Sequence, residues 1–232
     1  MAALAFSSAL AADLPVKVRP NVLAGFPYNG SGFYAGLGAV GAVLSADVGA
    51  NTGGSSIFSA GAAVDLTAGY QFTTGTNWYA FEASAQYTNM GGSVACPGDS
   101  CSVSSKWGFE QRGLIGFPIQ QVLSVLPNLG TLFPGLPPLP GGVNASTTNT
   151  HPYIFAGIRE DDVSAAFGIA RAQTWKIQPV VGLGLRSQWT NGLVADTSVG
   201  CTFADTGLQL GGVDNASAKF GRDCRAAFRL LY

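Results

Sequence analysis

Apolar and polar residues alternate along several parts of the chain, which predicts β-strands with one apolar face. From Ala62 to Phe72 every even position is apolar, whereas the odd positions are small or polar. The same period of two runs from Trp78 to Tyr87, after a short turn rich in Thr, Gly and Asn. Successive side chains of a strand point to opposite faces, so each segment is suited to lipid on one side and a polar interior on the other.

Further segments of similar length complete the set of predicted strands, and polar loops are expected at 46–57 and 88–104. Trp189–Gly192 contains an Asn-Gly pair, which is a hairpin signal. Counting hairpins gives about eight strands, so the predicted fold is all-β, a single antiparallel transmembrane β-barrel. The additional strand candidates are Gly32–Ser45, 105–117, Tyr153–Ile158, Ser164–Ala170, Thr174–Gln188, Leu193–Phe203 and Lys219–Tyr232.

The last strand separates its two faces most clearly. Phe228, Leu230 and Tyr232 share one face, and Asp223, Arg225 and Arg229 share the other. A cationic side chain on the lipid face of a barrel is costly, so the arginines are expected to point inward.

Residues 118–150 interrupt the strand pattern with a Pro- and Leu-rich stretch. Proline cannot donate to a strand ladder, which excludes an ordinary central strand here. We therefore treat 118–150 as an irregular insertion, and the sequence leaves open on which side of the membrane it lies.

Composition favours a membrane barrel over a water-soluble domain. Apolar residues make up 47% of the chain and charged residues 11%, against about 25% charged residues in a typical soluble domain. The apolar residues are spread among Gly, Ser and Thr, so a helical membrane span is not expected. The net charge of −1 without a basic run gives no sign of nucleic-acid binding.

The first residues indicate export. Residues 1–11 are apolar and end in an A-x-A-like site, which predicts a signal peptide cleaved near Ala11/Ala12, although no basic residue precedes the apolar run. Residues 12–30 hold three prolines without periodicity and are interpreted as a periplasmic leader. The barrel is then expected to occupy 31–232.

Four cysteines in an exported chain favour disulfides over free thiols or a zinc site. Three pairings are possible. We favour Cys96–Cys101, which closes one loop, and Cys201–Cys224, because these two residues share an outward face and a similar height on neighbouring strands.

Several motifs together resemble the small porin-like outer-membrane proteins of alphaproteobacteria, relatives of the OmpA barrel that include surface antigens. The motifs are the ADLPVK start, the strand opening at Gly32–Gly36, the segments Trp78–Tyr87 and Trp107–Phe117 with inward Glu82 and Arg112, and the terminal aromatic residue. The resemblance covers most of 12–232, and the cysteine pairs and the insertion depart from it.

This resemblance implies a location in the outer membrane of a Gram-negative bacterium. It further implies contact with outer-membrane lipid and lipopolysaccharide, and recognition of the last strand by the barrel assembly machinery. The corresponding assembly signal is Phe228, Leu230 and Tyr232. The resemblance does not indicate an oligomeric state.

No catalytic or metal-binding residues are predicted, and no cofactor. His151 is the single imidazole and is expected in an exposed turn without the partners of a nucleophilic triad. The acidic run Glu160–Asp162 is interpreted as a solvated loop, since no calcium-loop spacing surrounds it.

The inward polar residues are the predicted functional cluster. Eight strands leave an interior just wide enough for side chains, so these charges should pair across the lumen and plug it. The predicted cluster is Asp65, Glu82, Lys106, Glu110, Arg112, Arg186, Arg225 and Arg229.

The function predicted from these features is a non-enzymatic outer-membrane barrel that contributes to envelope structure and surface exposure. The main alternative is a porin with a narrow pore for small solutes or ions. A surface ligand-binding or adhesion barrel, and a soluble lipocalin-like barrel, remain further alternatives.

Overall fold

A computed structural model describes residues 31–50, 53–74, 77–97, 99–117, 149–188, 193–211 and 216–232. Within these residues every regular element is a strand. The strands are β1 Gly32–Ala50, β2 Gly53–Thr74, β3 Asn77–Cys96, β4 Asp99–Gly116, β5 Asn149–Phe167, β6 Ala170–Gln188, β7 Val194–Thr202, β8 Thr206–Gln209 and β9 Ser217–Leu231.

The nine strands form one closed antiparallel barrel whose wall is eight strands around, because two short strands share one place in it. Strands β1 to β7 pair in chain order, β7 pairs with β9, and β9 pairs back onto β1. The short β8 pairs with residues 217–220 of β9, beyond the part that β7 covers, so β7 and β8 occupy one position. The predicted all-β antiparallel barrel of about eight strands is confirmed.

The register shows how the barrel closes. A path that follows paired residues from Phe33 through Tyr70, Phe81 and the remaining strands returns to β1 at Val43, ten residues further along. Such a stagger tilts the strands against the barrel axis and, with the strand number, sets the width of the interior.

The chain terminus and the hairpins identify the two ends of the barrel. At the terminal end β1 begins and β9 ends, and Ala35 and Tyr232 exchange backbone hydrogen bonds of 3.0 and 2.8 Å. At the distal end the hairpins β1–β2, β3–β4 and β5–β6 close with few residues between their strands. Gly168 takes a positive φ of 57° in the β5–β6 turn, a conformation that favours glycine.

An apolar belt surrounds the terminal half of the barrel. We define it as the outward side chains of 33–43, 62–72, 78–87, 107–116, 153–161, 175–186, 194–202 and 223–232. Leu66, Leu183 and Phe81 are 58%, 63% and 67% exposed, as expected of side chains that face lipid.

Aromatic rings mark both edges of the belt, as the two membrane–water interfaces favour. Tyr87 and Trp107 stack edge to face near the distal edge, with ring centroids 4.9 Å apart. The rings near the terminal edge belong to Phe33, Tyr70, Phe72, Tyr79 and Tyr232.

Beyond the belt the two faces of the wall exchange polarity. We call the described residues of 44–60, 89–105, 162–174 and 203–222 the distal collar. Its outward residues include Asp47, Arg171 and Lys219, whereas its interior is an apolar core that contains Leu44, Val48, Ile57, Met90, Val163, Phe167 and Phe220. The collar therefore has an apolar interior and, apart from the exposed Phe58, a mainly polar or small outer face, as a water-soluble barrel has, and the belt has the reverse arrangement.

The collar corrects the predicted loops at 46–57 and 88–104. Strands β1 to β4 continue through most of these residues, and in β1 and β4 inward, mainly apolar residues alternate there with outward polar or small ones. Strand β5 is likewise continuous, so the loop predicted at Glu160–Asp162 was wrong, and β5 begins at Asn149, inside the predicted insertion. The signal peptide 1–11, the leader 12–30, the rest of the insertion (118–148) and the Asn-Gly turn at 189–192 lie outside the described residues.

Candidate functional site

The lumen at the level of the belt holds twelve buried charged residues, six of each sign. They project inward at the positions that alternate with the belt residues, and their formal charges cancel. The cations are Arg112, Arg159, Lys176, Arg186, Arg225 and Arg229, and the anions are Asp65, Glu82, Glu110, Asp161, Asp196 and Asp223.

Near the terminal end the network centres on Glu82 of β3. Its carboxylate contacts Arg112 of β4 at 2.5 Å and also Arg186 of β6. Arg186 in turn donates from Nε to Asp196 of β7 at 2.7 Å. The Tyr34 hydroxyl donates to Glu82 at 2.6 Å, so this carboxylate is bonded from three sides of the lumen.

In the middle of the lumen two residues join the strands across the barrel. Arg229 of β9 contacts Asp65 of β2 and lies 3.5 Å from Asp196. Glu110 of β4 lies 2.5 Å from Arg159 of β5 and 3.5 Å from Arg112. Every strand position of the wall except β1 thus supplies a charged group.

Toward the collar the network ends in a cluster around Arg225. Its Nη2 lies 2.6 Å from Asp161 and 2.8 Å from Asp223. Asp223 also lies 3.8 Å from Arg159, which connects this cluster to the rest. Lys176 donates to the backbone oxygen of Gly221 at 3.1 Å.

Apolar layers enclose the network at both ends. On the distal side lies the core of the collar. On the terminal side Trp78, Leu114 and Tyr153 are buried, and Gly116 and Gly184 leave room for the Trp78 and Tyr153 rings. The Arg186 guanidinium lies 4.9 Å from the Trp78 ring centroid and 5.4 Å from that of Tyr153, which adds cation–π contacts.

Seven of the eight predicted lumen residues lie in this network, and Lys106 does not. The pairing of β4 with both neighbours shifts between Ser105 and Gly108, which is a β-bulge. The bulge places Lys106 and Trp107 together on the outside, so the prediction of an inward Lys106 was wrong.

Sequence reasoning missed Arg159, Asp161, Asp196 and Lys176. Two of them lie in the part of β5 that was not assigned to a strand, although its odd positions continue the inward face of Tyr153. The same alternation was available on β6, where Lys176 shares the inward face of Arg186.

The exposed turn predicted at His151 was also wrong. His151 belongs to β5, is 3% exposed and has Nδ1 3.3 Å from the Phe117 carbonyl oxygen. Among the described residues no group of three or more His, Cys, Asp or Glu side chains is arranged to hold a metal ion.

Both disulfides join the cysteines that the sequence analysis favoured. Cys96–Cys101 spans the β3–β4 hairpin, and its sulfurs are part of the collar core. Cys201 and Cys224 are directly paired residues of β7 and β9 on the outward side.

An exposed ion pair lies on the collar. Lys219 Nζ is 2.8 Å from Asp205 Oδ2. The hydrogen bond and charge of Lys219 hold the pKa of Asp205 below its usual value, and Asp205 in turn raises the pKa of Lys219. Phe228, Leu230 and Tyr232, the predicted assembly signal, point outward at the terminal end of β9.

The described residues contain no helix with the length and apolarity to cross a membrane. No protein-family model matches the chain, and no curated protein matches it.

Several solved structures are similar to the chain. Neisserial surface protein A is 13% identical, with 85% of this chain and 97% of that chain covered and a TM-score of 0.33. Ail, the attachment invasion locus protein of Yersinia pestis, is 9% identical, with 86% and 98% covered and a TM-score of 0.38. The N-terminal β-barrel domain of Pseudomonas aeruginosa OprF is 12% identical, with 83% and 99% covered and a TM-score of 0.28. Similarity of this size carries no weight for function, which we derive from the residues themselves.

Proposed function

We propose that the chain is a non-enzymatic outer-membrane β-barrel of a Gram-negative bacterium that contributes to envelope structure and surface exposure. The belt would lie in the membrane against lipid and lipopolysaccharide, and the collar would stand outside the cell. Binding of nucleic acid or a cofactor is not part of this proposal.

The exchange of polarity along the barrel axis carries the proposal. In the belt the apolar side chains point outward, and the charged side chains are buried except for that of Glu160 near the distal edge. In the collar the apolar side chains form the interior core. A barrel in water throughout would expose the belt to solvent, whereas a barrel in lipid throughout would place Asp47, Arg171 and Lys219 in hydrocarbon.

The filled lumen favours a structural barrel over a porin. An eight-stranded wall leaves space only for side chains, and here paired charges occupy the level of the belt while the collar core lies above them. A solute or ion would have to displace both the ion pairs and the apolar core, so we propose a barrel that does not conduct.

Planar-bilayer recording of purified, refolded protein tests this proposal. We expect no discrete current steps after insertion, with a sixteen-stranded porin as the positive control for the bilayer. Stepwise openings of uniform size would contradict the closed lumen and favour the narrow-pore alternative.

We also propose that the last strand is the assembly signal. Phe228, Leu230 and Tyr232 are outward, at 47%, 39% and 72% exposure, at the end of β9 that pairs with the start of β1. This leaves them accessible to the barrel assembly machinery while the barrel closes.

A further inference from the structure

Gln111 is a polar side chain in the middle of the apolar belt. It points outward from β4, between Phe109 and Gly113 along the strand. Its paired neighbours are Ala83 on β3 and Ile158 on β5. Gln111 lies four positions along β4 from Trp107, which marks the distal edge of the belt, so its amide lies within the apolar part of the belt.

The amide of Gln111 has no hydrogen-bond partner among the residues that the structure describes. It offers two N–H donors and a carbonyl acceptor. By contrast, the outward hydroxyl of Thr197 on β7 donates to the Leu185 carbonyl oxygen at 3.5 Å. Hydrocarbon supplies neither donors nor acceptors, so an amide left alone at this depth is unfavourable.

A groove of about 1010 Å³ opens on the wall beside Gln111. Ala68, Phe81, Ala83 and Ile158 line it together with Gln111. The groove therefore extends from β2 and β3 past Gln111 to β5.

We propose that two copies of this chain associate in the membrane through this surface, with Gln111 on the two-fold axis. The inference rests on the proposed membrane location of the belt. Two copies inserted in the same direction are related by an axis along the membrane normal, so every residue keeps its depth. The amide of Gln111 then meets the same amide of the second copy, and the two side chains exchange a pair of N–H···O bonds.

The shape of the surface suits the same axis. A two-fold interface is self-complementary, so β5 of one copy lies opposite β3 of the other. Gly113 and Ala83, which line the groove beside Gln111, then lie close to the axis. Small residues at an interface within the membrane permit close approach, and polar side chains there supply hydrogen bonds.

Cross-linking between identical positions tests the axis directly. The variants Gly113→Cys, which keeps Gln111 and is the next outward residue of β4, and Leu37→Cys are refolded into liposomes, and the rate of dimer formation with a short thiol-reactive cross-linker is measured. Leu37 is an outward belt residue, 63% exposed and three wall positions away on β1, so it is a matched control. We expect cross-linking at position 113 to be at least about tenfold faster than at position 37, because only residues near a two-fold axis meet their own copies.

Association of the uncrosslinked protein provides the second measurement. Energy transfer between two labelled populations in liposomes should show a dimer for the wild-type chain, and Gln111→Leu should weaken it roughly tenfold, as expected for one buried pair of hydrogen bonds in a membrane. Association of Gln111→Leu equal to that of the wild type, an inserted but monomeric wild type, or equal cross-linking at positions 37 and 113 would each overturn the dimer.

Flotation with the liposomes separates the two proposals. Protein that floats and shifts in gel mobility on boiling is inserted, so a monomeric result then contradicts the dimer alone. Protein that does not float contradicts the membrane location itself.

Discussion

A single lumen residue can determine the stability of the barrel, because each buried charge is compensated only by the charged side chains around it. Arg186 bonds two carboxylates, Glu82 and Asp196, and has a side chain 1% exposed. Truncating one member of a buried pair leaves the other charge without compensation, which costs more than the pair itself contributes.

We therefore expect Arg186→Met to lower the free energy of unfolding by about 3–5 kcal/mol. Lys106→Met is the control, because Lys106 is exposed on the bulge of β4 and its loss should change stability by about 0.5 kcal/mol or less. Urea unfolding of both refolded variants in detergent measures the difference. Equal stabilities would contradict the charge network, and a large loss for Lys106→Met would contradict its outward placement.

The collar ion pair gives a prediction for pH. Lys219 lowers the pKa of Asp205 in the folded protein. The ion pair therefore stabilises the folded state fully above the ordinary pKa of an aspartate, and this stabilisation disappears as the pH falls through the lowered pKa of Asp205. Replacing Lys219 with Met should return the pKa of Asp205 toward its usual range, which carboxyl NMR titration can follow. An unchanged titration would show that the pair does not persist in solution.

At the scale of strands, the two disulfides should contribute unequally. Cys96 and Cys101 are five residues apart, and Cys201 and Cys224 are 23 apart. A disulfide restricts the unfolded chain more when it closes a longer loop. The expected contribution to the free energy of unfolding is about 2 kcal/mol for Cys96–Cys101 and about 3 kcal/mol for Cys201–Cys224.

Paired Cys→Ser replacements, one disulfide at a time, measure these contributions by urea unfolding. We expect the variant without Cys201–Cys224 to be the less stable. The reverse order would show that the short hairpin loop holds the collar core together more strongly than loop length alone implies.

The alternation of apolar and polar residues predicted most strands of the barrel wall, but it did not predict the irregularities within them. Alternation identified β2, the core of β3 and the two faces of β9, because lipid and lumen impose opposite requirements on adjacent residues. It did not reveal the β4 bulge, since one extra residue in a strand has no local signature around Lys106 and Trp107. It also failed in β5, where Glu160–Asp162 resembles a loop although Asp161 is a lumen residue.

The collar was not predicted because the sequence was interpreted with a single rule for the two faces. In the belt, polar residues point inward, whereas in the collar Leu44, Val48 and Ile57 do. A segment that changes solvent along its length keeps its period of two but reverses its polarity. The network of lumen charges could be predicted only in part. Its residues come from seven strands, and the sequence alone does not show which of these strands lie side by side.

On the scale of the whole molecule, the barrel is a wall that passes from lipid into water. In the belt the outer face contacts lipid, so the polar and charged side chains point into the lumen. In the collar the outer face contacts water, so the apolar side chains form the interior. Both arrangements leave the lumen filled, which connects the polarity of the surface to the absence of conduction that we propose.

Site-specific fluorescence tests the membrane position of the belt and collar most directly. Leu66→Cys in the belt and Ser93→Cys on the outer face of the collar each carry one environment-sensitive label, and the labelled proteins are refolded into liposomes. We predict that lipids with brominated acyl chains quench the label at position 66 and that aqueous iodide quenches the label at position 93. Quenching of both labels by iodide, or of both by the brominated lipid, would contradict the exchange of polarity on which the proposed function rests.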